Sequence, residues 1–269
     1  MDVNLLVVCL LTFVIHVVGT LAYAVRIAGV RSRRIAISFS LFNILVLVSR
    51  TSNTFQGPFL AKRIEDRLLS PDNASVQLLH DFRYLLLTTT LATVVGALLI
   101  PTFQRLFSTA VHHFQTHRSL PRLIGHAFTA RGVFSILDEI CLPSAPNLTR
   151  LSSGAGVSST VIALNVIAMA LWTLGVFASL YAGYLKPELR VTCSNLSGVI
   201  NGIATIVMFV FIDPQVALMT DDVVEGRISD GKFRRAITSL IGARFAGTIL
   251  AQFLLVPSAM LIMRIAEVI

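Results

Sequence analysis

Several cations of this chain sit where a folded protein does not leave them without cause. Arg50 lies inside a long apolar run, with Asn53 and Gln56 at i+3 and i+6, roughly on one face of a helix. A guanidinium with two carboxamides beside it is a donor set suited to phosphate oxygens. The plainer reading is that the helix ends near Ser49 and that Arg50 snorkels to the membrane interface. Arg244 raises the same two readings within the last apolar run, closer to a helix end. Arg26, Arg31, Arg33 and Arg34 cluster behind the first run. His16, between Ile15 and Val17, offers a proton relay or, more cheaply, a hydrogen bond between helices.

Other chemistries lack their residues. There is no nucleotide-binding glycine loop, no HExxH and no GxSxG. Cys9, Cys141 and Cys193 are far apart and read as apolar fillers. His112, His113, His117 and His126 cluster without a Cys or carboxylate at ligand spacing, so a solvated basic loop is expected rather than a metal site. No cofactor is called for. Asp213-Pro214 reads as the end of the fifth apolar run. Asp221, Asp222, Glu225 and Asp230 then precede Lys232, Arg234 and Arg235 in a connection that is either solvated or a gate against the arginines of the first connection.

The elements that hold these residues must be membrane helices. Of 269 residues, 55% are hydrophobic and 13% charged, with a mean hydropathy of +0.78, whereas a globular chain carries about a quarter charged residues. The formal charge of +8 could suggest nucleic acid, but the arginines flank apolar runs as interface anchors do, and no nucleic-acid partner is expected. About twenty apolar residues cross a bilayer. Six segments qualify: residues 5–27, 35–59, 84–107, 158–184, 191–212 and 237–265. The fold expected is thus an all-α, multi-pass membrane protein. Only Asp2 is charged ahead of the first run and the basic cluster follows it, so the run reads as a retained helix and not a signal peptide.

Fourteen of the 22 basic residues fall in one alternate set of connections and eight in the other. Lys and Arg resist translocation, which places both chain ends outside. The chain then divides into an N-terminal half (1–107), a cytoplasmic loop with an interfacial helix (108–156) and a C-terminal half (157–269), with a hinge at Pro143, Pro146 and residues 152–156. One ungapped shift aligns Gly19 with Gly175, Pro58 with Pro214 and Pro101 with Pro257, and sets all three helices of one half on those of the other. Three helices per half would make the repeats inverted, an architecture of alternating-access carriers. Gly198-x-x-x-Gly202 is a small-residue packing match that by itself says little about dimerisation.

Tyr23-Ala-Val-Arg-Ile-Ala-Gly-Val-Arg31, continuing through Ser38 to Asn43 and then Val48-Ser-Arg-Thr-Ser-Asn-Thr-Phe-Gln-Gly-Pro58, resembles the bacterial Amj family, alternate lipid II flippases that substitute for MurJ. The resemblance extends over nearly the whole chain. It implies translocation of the undecaprenyl-diphosphate-linked peptidoglycan precursor, lipid II, from the inner to the outer leaflet of the cell membrane, with no catalytic residue. On that reading Arg26, Arg31, Arg33 and Arg34 recruit the diphosphate, Arg50, Asn53 and Gln56 receive it deeper, and Arg244 is a further candidate. Six helices enclose a narrow space, so a homodimer or a laterally open groove is expected instead of a closed channel. Two rivals stand beside it. One is an intramembrane polyprenyl-phosphate phosphatase using His16, the arginines and a hydroxyl among Ser49, Thr51 and Ser52. The other is a scaffold that recruits cell-wall enzymes.

Overall fold

The computed structural model describes residues 2–69, 74–119, 122, 123, 125, 129, 138–143 and 156–269. Six of its helices are long and apolar enough to cross a membrane. They comprise α1 (Val3–Ser32), α2 (Ile35–Leu68), α3 (Ala74–His117), α4 (Ser159–Leu185), a fifth interrupted span, and α7 (Asp230–Val268). The fifth span opens with a 3-10 turn (Pro187–Leu189), runs as α5 (Arg190–Val207), widens into a π turn (Met208–Ile212) and resumes as α6 (Asp213–Val224). Most of the interfacial helix and hinge expected between residues 108 and 156, including His126 and Pro146, lies outside the described residues.

Local chemistry sets the helix ends. Asp2 caps α1 by accepting the Leu5 amide at 2.8 Å, and Ser158 and Ser229 cap α4 and α7 in the same way. Arg33 closes α1 in a left-handed conformation, φ 52°, and donates its N–H to carbonyls of the last turn. The reversal into α2 is tight enough that a Cβ on Gly29 would lie 3.1 Å from the Ile35 backbone.

Four expectations need correction. α2 does not end near Ser49 but continues to Leu68, with Pro58 inside it. The connection left between the second and third apolar runs, residues 60–83, is largely helix, because charged residues at the ends of α2 and α3 extend both beyond those runs. Asp213-Pro214 does not end the fifth span: the π turn absorbs the hydrogen bond that proline cannot make, and Pro214 falls in the first turn of α6, where its missing N–H costs nothing. His112, His113 and His117 likewise lie on the end of α3 instead of in a loop, with the rings of His113 and His117 stacked at 4.2 Å.

In the first half α1 packs against both α2 and α3; in the second α4 packs against both α5 and α7. The halves meet mainly where α3 crosses α7. Helix ends recur at the spacing seen in the sequence: Val3 answers Ser159, Leu68 answers Val224, and Ala74 answers Asp230. Close approach depends on small residues, as membrane helices require. A Cβ on Gly247 would meet Met169 Cβ at 2.6 Å and the Val166 carbonyl oxygen at 2.7 Å, and one on Gly96 would meet Thr20 at 2.7 Å. Gly198 and Gly202, by contrast, face open space. One buried cluster ties the halves at the end where the chain begins, joining Leu5, Leu60, Phe82, Phe177 and Leu255, with the Phe82 and Phe177 rings 5.9 Å apart. A second, with Ala24, Ile212, Phe233 and Leu240, ties them at the other end.

Candidate functional site

Residues 12, 16, 19, 23 and 26 recur at steps of three and four along one side of α1, with its capping residue 2 ahead of them. From the N-terminal end inward they are Asp2, Thr12, His16, Gly19, Tyr23 and Arg26, and most of them meet a different part of the bundle.

The first level is a charged network. Arg63 of α2 donates from Nη1 to both Asp2 oxygens at 2.8 Å and from Nε to Asp81 of α3 at 2.8 Å. Its side chain is 7% exposed and that of Asp81 10%, so hydrogen bonding and charge must compensate for lost solvation. The Leu5 amide and then Arg63 hold the Asp2 carboxyl below the ordinary carboxylate range. A cavity of about 180 Å³ opens here, lined by Asp2, Asn4, Arg63, Asp66 and Arg67. At the second level buried Gln56 donates from Nε2 to the Thr12 hydroxyl at 2.6 Å.

The third level carries a cation without a counter-ion. Arg244 of α7 crosses toward α1, where a Cβ on Gly19 would lie 2.6 Å from its Nη2. Nη1 donates to the Met169 sulfur of α4 at 3.1 Å, while Nε is enclosed with no hydrogen-bond acceptor. No carboxylate pairs with it among the described residues. His16 is 7% exposed, within electrostatic reach of Arg244, and its Nδ1 is enclosed without a partner. The expected interhelical hydrogen bond from His16 is therefore not made at that nitrogen. One turn on, Asn165 of α4 donates to the Leu240 carbonyl oxygen at 3.0 Å and lies beside the Tyr23 hydroxyl.

The last level closes α1 against α6. Arg26 Nη2 meets Asp213 Oδ1 at 2.9 Å, and its guanidinium lies 5.2 Å from the Phe39 ring centre. Asp213 is thus the carboxylate of that region that meets an arginine of the first connection. Asp222 and Glu225 pair locally with Arg227, and Asp230 with Arg234. Beyond Arg26 a cavity of about 430 Å³ is lined by Arg31, Arg105, His112, Glu139 and the hydroxyls of Ser32, Ser108 and Thr109. Arg33 and Arg34 are exposed at the helix reversal.

The Arg50 set separates in space. Gln56 turns inward to Thr12, whereas Arg50 and Asn53 are exposed on the outside of α2. Arg50 is nonetheless deep in the helix, sixteen residues or about 24 Å beyond Arg34 and about 18 Å short of Lys62. Its side chain makes no ion pair or hydrogen bond among the described residues. Gln56 marks the level of Thr12, and from there Arg50 and Gly19 each lie about 10 Å toward the Arg26 end. Arg50 and Arg244 are therefore at about the same depth.

Sequence reasoning missed Arg63, Asp81, Thr12, Tyr23, Asn165 and Arg105 as participants. The signal available was the three-and-four spacing of polar residues along the first apolar run, which marks one face before any neighbour is known.

Residues 11–266 match the family model described as Amj, alternate to MurJ. The chain is 36% identical over 256 residues, 95% of its length and 93% of the other's, to the protein named lipid II flippase Amj of Bacillus subtilis (strain 168). No solved structure matches.

Proposed function

This chain belongs to the Amj family, and we propose that it is a lipid II flippase, a transporter and not an enzyme, in the bacterial cell membrane. Its substrate is the undecaprenyl-diphosphate-linked peptidoglycan precursor, carried from the inner to the outer leaflet. One observation carries the mechanism: Arg50 and Arg244 both lie within spans, at about one depth, and neither has a carboxylate among the described residues. Placing a cation at the centre of a spanning helix costs about 2.5–3.5 kcal/mol on insertion scales. The substrate's diphosphate supplies the missing anion as it passes, so the cations stabilise the charged headgroup where hydrocarbon would not.

The route begins at the Arg31 and Arg105 cavity, with Arg33 and Arg34 attracting the diphosphate to the cytoplasmic mouth. The Arg26 and Asp213 pair stands at that mouth, and the Arg63, Asp2 and Asp81 network seals the outer end. Both chain ends are outside on this reading. The halves act as inverted three-helix repeats, which the recurring helix ends and the matching neighbours of α1 and α4 support. An inside-negative potential favours outward anion movement by about 2.3 kcal/mol per charge per 100 mV, so no proton relay is required. The phosphatase reading loses ground because the Thr51 and Ser52 hydroxyls donate to carbonyls of their own helix, at 2.9 Å each.

The test is complementation in cells depleted of their principal lipid II flippase, reading headgroup exposure at the outer surface. The intact chain restores exposure, and Arg50→Ala and Arg244→Gln, at matched expression, do not. Failure of the intact chain to rescue would end the transport reading. Rescue by both variants would remove the cations from it.

A further inference from the structure

α2 differs from the other spans in what it turns outward. On α3 the exposed positions at steps of three and four are Tyr84, Leu87, Leu91, Val94 and Leu98. The fifth span shows Ile203, Ile206, Phe209 and Val210, and α7 shows Ile249, Phe253 and Met260. These are surfaces that hydrocarbon solvates. The same spacing on α2 selects Ser40, Asn43, Leu47, Arg50, Thr54 and Gly57, all exposed. Leu47 stands within this row and Val48 and Phe55 are exposed beside it; the other five members of the row are polar or small. From Ser40 to Gly57 the row is about 25 Å long, most of the thickness of a hydrocarbon core.

Lipid tails offer nothing to a guanidinium, a carboxamide or a hydroxyl, so this face has another occupant. A second copy of the chain, docked about a two-fold axis along the row, would set Arg50 against Arg50, like charges in low dielectric. A diphosphate has the opposite sign and accepts from every donor on the row. We infer that the outward face of α2 is the floor of a laterally open, hydrated groove along which the diphosphate and adjoining sugar of a polyprenyl-linked lipid travel, while the tail stays in the bilayer. Arg50 holds the diphosphate midway, with Asn53 one turn on. Ser40 and Asn43 take it from the cytoplasmic side and Thr54 passes it outward. Gly57, with open space where a side chain would stand, leaves room for the bulk of the headgroup. This assignment rests on the flippase reading and adds where Arg50 meets the headgroup: on the outer face of α2, at the depth of Arg244.

Cysteine accessibility tests it in the full-length protein reconstituted in lipid nanodiscs. Cys9, Cys141 and Cys193 are first changed to alanine, and the cysteine-free chain is checked for rescue. Single variants Asn43→Cys and Thr54→Cys sample the row, and Leu91→Cys and Phe253→Cys sample surfaces facing lipid. A water-soluble maleimide reacts with thiolate, which forms in water and not in hydrocarbon, so the row should label roughly tenfold faster than the controls or better. Undecaprenyl diphosphate should slow labelling of the row, undecaprenol should not, and Arg50→Gln should abolish the protection. Labelling no faster than the controls, labelling without protection, or disulfides between copies through Asn43→Cys would each overturn the groove; the last would make the row a dimer interface. A cysteine-free chain that still rescues flippase-depleted cells while its row goes unprotected would sink the groove alone. If the native chain did not rescue, the flippase reading itself would fail.

Discussion

Replacing Arg244 with methionine should make the protein more stable and less active. The guanidinium crosses from α7 to α1 and α4 with no carboxylate paired to it among the described residues, an enclosed Nε without an acceptor, and a thioether as its hydrogen-bond acceptor. Insertion scales put an arginine at the centre of a span about 2.5–3.5 kcal/mol above an apolar residue. Part of the side chain keeps surface exposure, so we expect about half of that, 1–2 kcal/mol, to return on substitution. For a chain of this size about 1 kcal/mol moves the unfolding midpoint by 2–4 °C. A rise of roughly 3–6 °C follows for purified Arg244→Met in detergent. Transport should move the other way. At about 4 Å and an effective dielectric near 20, a unit charge pair is worth about 4 kcal/mol, and losing half of it slows crossing roughly thirtyfold. Thermal unfolding and headgroup exposure in complemented cells read the two effects separately. An unfolding midpoint below the native one would mean that the arginine is structural. Undiminished headgroup exposure would mean that the diphosphate does not pass it.

Asp81→Asn leaves Arg63 with Asp2 as its remaining carboxylate at close range and should cost about 3 kcal/mol, near the low end for breaking a buried pair, measured by thermal unfolding. Gly247→Ala forces a Cβ against the α4 backbone and should destabilise by about 1–3 kcal/mol, whereas Gly242→Ala, with open space at its Cβ, should be neutral or slightly stabilising in the same assay. The lowered Asp2 pKa means that its contribution is present above the unfolded value near 3.9 and is lost as pH falls through the folded one. Stability should therefore decline below about pH 4 in the native protein, with a shallower decline in Asp2→Asn; equal slopes would show that the Arg63 network does not depend on that charge.

Membrane class, six spans and the positions of the cations were legible in the sequence, because apolar length and charge enter the transfer energy residue by residue and need no neighbour. The Arg50, Asn53 and Gln56 set shows where legibility stopped. Helical spacing made them near neighbours on a wheel, but steps of three turn progressively, and packing against α1 drew Gln56 inward while leaving Arg50 and Asn53 outside. Arg63 lies beyond the second apolar run, where nothing in the sequence gives it a partner; α2 continues past Pro58 and brings it between Asp2 and Asp81. Arg244 and Gly19 lie far apart in the chain, and no pattern in either segment announces their contact. By itself the sequence determined which segments enter the membrane and which charges go with them. Only the tertiary structure decided which charges are paired, since pairing depends on the rotation of each helix and on the neighbour it meets at a given depth.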